Sequence, residues 1–87
     1  MAYVIIFTEN AIKRDIPAIP PANYDQIMRA IHERLTVDPI RLGKPLRHGL
    51  TGYRRLRVGD WRIAYRVEGD KVIVAHIELR RDAYKGW

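Results

Sequence analysis

Tyr53-Arg54-Arg55-Leu56-Arg57-Val58-Gly59-Asp60-Trp61-Arg62-Ile63-Ala64-Tyr65 reads as a β-hairpin with arginines gathered on one face. The turn is Gly59-Asp60, and the residues on either side alternate between apolar and charged, a strong short-range hairpin signal. A two-residue turn sets Val58 opposite Trp61, Arg57 opposite Arg62, Leu56 opposite Ile63 and Arg55 opposite Ala64. Side chains alternate across a strand, so Leu56, Val58, Trp61 and Ile63 share one face and Arg55, Arg57 and Arg62 the other. Like charges facing each other across a sheet repel. An anion set against them offsets that repulsion, and a polyphosphate chain is the leading candidate.

Working outward, the charge is uneven. The net charge is +6, but residues 1–40 hold four Lys/Arg against five Asp/Glu, while residues 41–66 hold eight Lys/Arg against Asp60 alone. A basic centre of this kind suits nucleic acid, an acidic protein or an anionic membrane surface, with a merely solvated surface as the plain reading. The chain has 87 residues, enough for one small domain, and no cysteine, so neither disulfides nor thiolate–metal sites support it. No apolar run approaches the ~18 residues that span a bilayer. Met1 to Phe7 lacks the basic start and long apolar core of a signal peptide, which makes a cytoplasmic location the expectation.

Residues 2–7 are β-branched and aromatic, and read as a buried strand. Thr8 can cap a short helix that stops near Ile16, because Pro17 follows. Pro21 opens a second helix expected to reach about Val37, with Tyr24, Ile27, Met28, Ile31 and Leu35 on its apolar face. Residues 38–52 read as an irregular loop, carrying Lys44 and Arg47 beside the hairpin. The last strand runs from Lys71 to about Leu79, and two registers are open to it. A three-residue Glu68-Gly69-Asp70 turn sets Arg62 opposite His76, puts Ala75 and Ile77 against Ile63 and Trp61, and adds Glu78 and Arg80 to the arginine face. A two-residue Gly69-Asp70 turn reverses the parity and sends Arg80 toward the core. The cost of burying an unpaired arginine favours the first. Arg81 to Trp87 is expected along the sheet edge. The order is β-α-α-β-β-β, an α+β domain with a helical hairpin on one face of an antiparallel sheet and an open, basic opposite face.

The chemistry available is narrow. There is no serine or cysteine for covalent catalysis, and no P-loop, dinucleotide fingerprint or metal-ligand spacing. His32, His48 and His76 are too scattered for a metal site. Glu78 reads first as a salt-bridge partner for Arg62 or Arg80, and second as a base. Arginine, in contrast, grips phosphate through a planar, always-charged fork. Several arginines on one phosphate stabilise the extra charge of a pentacoordinate transition state. RNA supplies its own nucleophile, the 2′-hydroxyl. Trp61 reads first as core and second as a stacking platform for a base; for Tyr84 the two readings are even.

The string Arg55-Leu56-Arg57-Val58-Gly59-Asp60-Trp61-Arg62, then Tyr65, then Arg80-Arg81-Asp82-Ala83-Tyr84, resembles the RelE/ParE superfamily of toxins from type II toxin–antitoxin systems. The loop Arg41-Leu42-Gly43-Lys44-Pro45-Leu46-Arg47 and Leu50-Thr51-Gly52 fit the same pattern, so the resemblance spans the whole chain as one RelE-like domain, residues 1–87. The RelE branch implies a ribosome-dependent endoribonuclease that cuts mRNA in the A site. By that resemblance, Arg55 and Arg57 activate the 2′-hydroxyl and neutralise the phosphate, and Arg62 holds the scissile phosphate. Arg80 assists the leaving 5′-oxygen, Tyr84 stacks on or orients a base, and Lys44, Arg47 and Arg81 contact RNA. No metal, cofactor or membrane is implied.

Two features set the chain apart from many members: Leu79 replaces the histidine before the arginine pair, and arginine is a poor base at pH 7. The alternatives are a ParE-like inhibitor of DNA gyrase without nuclease chemistry, and an inactive RNA- or protein-binding relative. The resemblance also implies a cognate antitoxin, acidic or amphipathic, that covers the basic face and forms a DNA-binding complex with the toxin.

Overall fold

In a computed structural model that describes residues 3–45 and 52–79, with Leu42, Lys44 and Pro45 described by backbone alone, the hairpin forms in the expected register. Strands β3 (Arg54–Val58) and β4 (Trp61–Glu68) pair Val58 with Trp61, Arg57 with Arg62, Leu56 with Ile63 and Arg55 with Ala64. Gly59 turns the chain at φ +58°, a left-handed conformation that a residue without Cβ adopts without strain.

Strand β5 (Lys71–Leu79) continues the meander, but not through the expected turn. The connection is the two-residue Gly69-Asp70 turn, with Glu68 paired to Lys71. Left alone, that turn would invert the parity of β5. A β-bulge intervenes: Tyr65 pairs with Val74 and Ala64 with His76, leaving Ala75 as the extra residue. One inserted residue restores the alternation. Arg62 consequently faces Glu78 rather than His76, and Ile63 faces Ile77. The charged side of β5 lies where the sequence reading placed it, by a different route.

The sheet has five strands in the order β1-β5-β4-β3-β2, with β1 spanning Val4–Phe7 and β2 Lys44–Pro45. It is mixed, because β1 runs parallel to β5 along one edge. As an edge strand, β1 buries only one side. Ile5 and Phe7 pack on the core, while Val4 is 54% exposed, which corrects the expectation of a fully buried strand. Helix α1 (Pro21–Arg34) begins at its proline and ends three residues before Val37. Ile27, Ile31 and Leu35 are fully buried against Leu56, Ile63, Tyr65, Val72, Val74 and Ile77. Tyr24, one turn before the first of these, is exposed rather than part of the apolar face.

Residues 38–45 are more regular than a loop. Asp38 accepts a hydrogen bond from the Arg41 amide and caps a short helix α2 (Pro39–Leu42), and β2 then pairs with β3. Thr8 caps the first helical segment as expected, accepting from the Ala11 amide at 3.2 Å. That segment is a π-helical turn, Ala11–Asp15, in which the Ile16 amide reaches back to the Ala11 carbonyl. Among the described residues no helix is long and apolar enough to cross a membrane.

Candidate functional site

The outer sheet face is ordered in rows by the register. One row runs Arg57–Arg62–Glu78, the next Arg55–Ala64–His76. Three of the sequence-derived residues, Arg55, Arg57 and Arg62, are thus brought together. Their environments differ sharply. Arg57 is exposed, Arg55 is partly covered, and Arg62 is only 4% exposed. The face is therefore not uniformly open: its central strand is buried, with Ala64 fully covered beside Arg62.

The repulsion expected between Arg57 and Arg62 is relieved within the fold. Arg57 Nε donates to the Gly59 carbonyl at 3.4 Å, which leans the side chain toward the turn. On its other side Arg62 faces the carboxylate-bearing Glu78, a favourable cross-strand pair. Arg47, Arg80, Arg81 and Tyr84 lie outside the described residues, as does the Lys44 side chain.

The neighbouring arginines that were not assigned a role have structural ones. Arg54 shares the core-facing parity of Leu56 and donates to the carbonyls of Ile40 (2.9 Å) and Gly43 (3.2 Å), clamping the end of α2. Arg66 pairs with Glu68 at 3.1 Å and lies 5.9 Å from the centre of the Tyr53 ring.

The structure adds a residue that the sequence reading missed. Beyond Phe7 the edge of β5 is no longer covered by β1, and the π-helical turn takes over. Asp15 Oδ2 accepts the Ile77 amide at 3.2 Å and lies 3.8 Å from His76 Nδ1. Glu78 Oε1 is 3.9 Å from the same nitrogen. An imidazole is thereby flanked by two carboxylates at the end of the arginine rows. Asp15 and Ile77 are 62 positions apart, and only the packing of the turn against β5 brings them together. Alongside lies a groove of about 460 Å³ bounded by Arg14, Asp15, Trp61, Glu78 and Leu79. Trp61 packs partly on the core, as its first reading had it, and also borders this groove. Among the described residues, no group of three or more metal-ligating side chains is arranged to hold an ion.

Over residues 5–84 the sequence matches the family described as the ParE toxin of the type II toxin–antitoxin system parDE. The chain belongs to this RelE/ParE toxin superfamily. Within the superfamily, it is 32% identical over 87 residues to toxin RelG of Mycobacterium tuberculosis, covering 98% of this chain and 99% of RelG. Toxin RelE of the same organism is also 32% identical, over 85 residues, covering 95% of this chain and 87% of that toxin. Among solved structures, the M. tuberculosis toxin–antitoxin complex RelBE2 superimposes with a TM-score of 0.84 at 30% identity, covering 92% of this chain and all of the matched one. The fold of this RelE-family toxin, helices followed by an antiparallel meander, is that of the RelE toxins.

Proposed function

We propose that this RelE-family toxin is a ribosome-dependent endoribonuclease that cleaves mRNA in the A site by attack of a 2′-hydroxyl on the adjacent phosphate. The observation that carries the reading is the convergence of Arg55, Arg57 and Arg62 on one sheet face, next to the imidazole and carboxylates at its end. Guanidinium groups neutralise the phosphate and stabilise the dianionic transition state, while the ribosome supplies the substrate geometry. Arg55 and Arg57 meet the phosphate first. Arg62, beside them on the same face, holds the scissile phosphate and stabilises its transition state. Arg80 assists the leaving oxygen, Tyr84 stacks on or orients a base, and Lys44, Arg47 and Arg81 contact the backbone. The products are a 2′,3′-cyclic phosphate, or its hydrolysed form, and a 5′-hydroxyl. The site of action is the cytoplasm.

The partner is a cognate antitoxin, as in the RelBE2 complex of the structural relative. Its acidic or amphipathic chain covers the basic face, and the pair binds DNA as a complex.

The match to a family named for ParE keeps the gyrase-directed reading as the alternative. A purified translation system separates the two. A-site cleavage by the wild type, lost in Arg62→Ala and in the more exposed Arg57→Ala, supports the nuclease. Intact mRNA together with gyrase-dependent DNA breaks overturns it. Intact mRNA, intact DNA and undisturbed growth on overexpression point to the inactive relative.

A further inference from the structure

The arginine rows leave one role unfilled. Guanidinium does not accept a proton near neutral pH, and the chain has neither serine nor cysteine. We propose that His76 is the catalytic residue that takes the proton from the 2′-hydroxyl, with Asp15 and Glu78 as the positioning residues that orient its ring. This assignment rests on the nuclease reading above and names the base within it.

Three observations support the assignment. Asp15 Oδ2 and Glu78 Oε1 face the same ring nitrogen, Nδ1, at 3.8 and 3.9 Å. Two carboxylates on one side favour the proton on Nδ1, which makes Nε2 the basic nitrogen. Asp15 is itself fixed, because its carboxylate accepts the Ile77 amide and its side chain is only 13% exposed. A base oriented by a third, anchored group is the arrangement that activates a hydroxyl nucleophile, and its hydrogen bonds commonly tighten only when substrate binds.

The placement also fits the phosphate. His76 pairs with Ala64, and Ala64 pairs with Arg55 on its other side. Along that row the short side chain of Ala64, itself covered by its neighbours, separates the imidazole strand from an arginine strand. Strands are ~4.8 Å apart, so the two backbones are about 10 Å apart, a gap that an arginine and an imidazole reaching toward each other can close around a phosphate and its neighbouring hydroxyl. Among the described residues, the charged groups around His76 are Asp15 on the π-helical turn, Glu78 on β5, Arg62 on β4 and, across Ala64, Arg55 on β3.

In the step itself, the O–H bond of the 2′-hydroxyl breaks and its proton passes to His76 Nε2. The oxygen forms a bond to phosphorus, and the P–O5′ bond breaks with its electron pair on the 5′-oxygen. That oxygen takes a proton from water. The imidazolium then returns its proton to the resulting hydroxide, so the reaction is a transesterification that consumes no water and leaves cyclic phosphate and 5′-hydroxyl ends.

The test is single-turnover cleavage of A-site mRNA on purified ribosomes by the full-length toxin across pH 5.5–8.5, with His76→Gln, His76→Ala and Asp15→Asn. His76→Gln is expected to lose about 10²-fold or more in rate, in keeping with removal of a general base, while still binding the ribosome. The acid limb of the pH profile disappears with it. Added imidazole partly restores His76→Ala, and Asp15→Asn slows the step while keeping the limb. Wild-type rate and pH profile in His76→Gln overturn the assignment and leave the nuclease reading standing. A slow His76→Ala with no imidazole rescue and an unchanged pH profile in His76→Gln also overturns it. Intact A-site mRNA with the wild type removes the nuclease reading, and this assignment with it.

Discussion

The hydroxyl of Tyr65 donates to the Pro39 carbonyl at 2.5 Å, joining the centre of β4 to the first residue of α2. Tyr65 is fully buried, and burial pushes its phenol up to about 12; nearby Arg54 opposes that shift and Asp38 reinforces it. The bond lies between the arginine-bearing strand and the segment that leads into Lys44.

A raised pKa means that the folded state holds the phenolic proton more tightly than the unfolded chain, whose tyrosine titrates near 10. The contribution is fully present below pH 10 and is lost as pH rises toward 12. In urea titrations, the wild type should lose about 2–3 kcal/mol relative to Tyr65→Phe across that interval. A constant difference between the two proteins would contradict the buried, neutral phenol.

Gly43 lies against the same hydroxyl. A Cβ at this position would stand 1.9 Å from Tyr65 Oη and 2.7 Å from Cζ, so the tyrosine ring would have to move. Gly43→Ala is expected to cost about 1–3 kcal/mol. In the Tyr65→Phe background the cost should shrink, because the nearest atom is gone. A double-mutant cycle by urea unfolding measures that coupling, and strict additivity would refute the contact.

Asp15 satisfies an edge amide of β5 that β1 is too short to reach. Asp15→Ala strands that amide and should destabilise the fold by about 1–3 kcal/mol. Asp15→Asn retains an oxygen acceptor and should cost less. Hydrogen exchange at Ile77 gives the local readout: accelerated in the alanine variant and close to wild type in the asparagine one.

Arg54 and Arg57 are three positions apart but should fail in different ways. Arg57 is exposed, so Arg57→Ala should weaken binding of a short single-stranded RNA and lower the slope of log K against log salt by about 0.7. Arg54→Ala breaks the clamp on α2. It should lower the melting temperature and leave the salt slope unchanged. The same slope loss in both variants would erase the distinction.

The hairpin register, the apolar face of α1 and the Thr8 cap were legible because each depends on residues a few positions apart. The parallel pairing of β1 was not, since it joins strands 67 residues apart and leaves no local pattern. The burial of Arg62 was missed for a similar reason: alternation assigns a residue to a face without saying what covers that face. Asp15 read as an unremarkable carboxylate before a proline break, because nothing local ties it to Ile77 or His76. Arg54 and Arg55 are the same residue type side by side, and only their opposite facing separates a clamp from a site residue.

The extra residue at Ala75 bears on how such a chain can change length. Because the bulge cancels the parity of the Gly69-Asp70 turn, deleting Ala75 would leave Ala64 opposite His76 and Ile63 opposite Ile77 in a regular ladder. The bulge is therefore a place where this strand can lose a residue without exchanging the chemical face of the toxin for its apolar one.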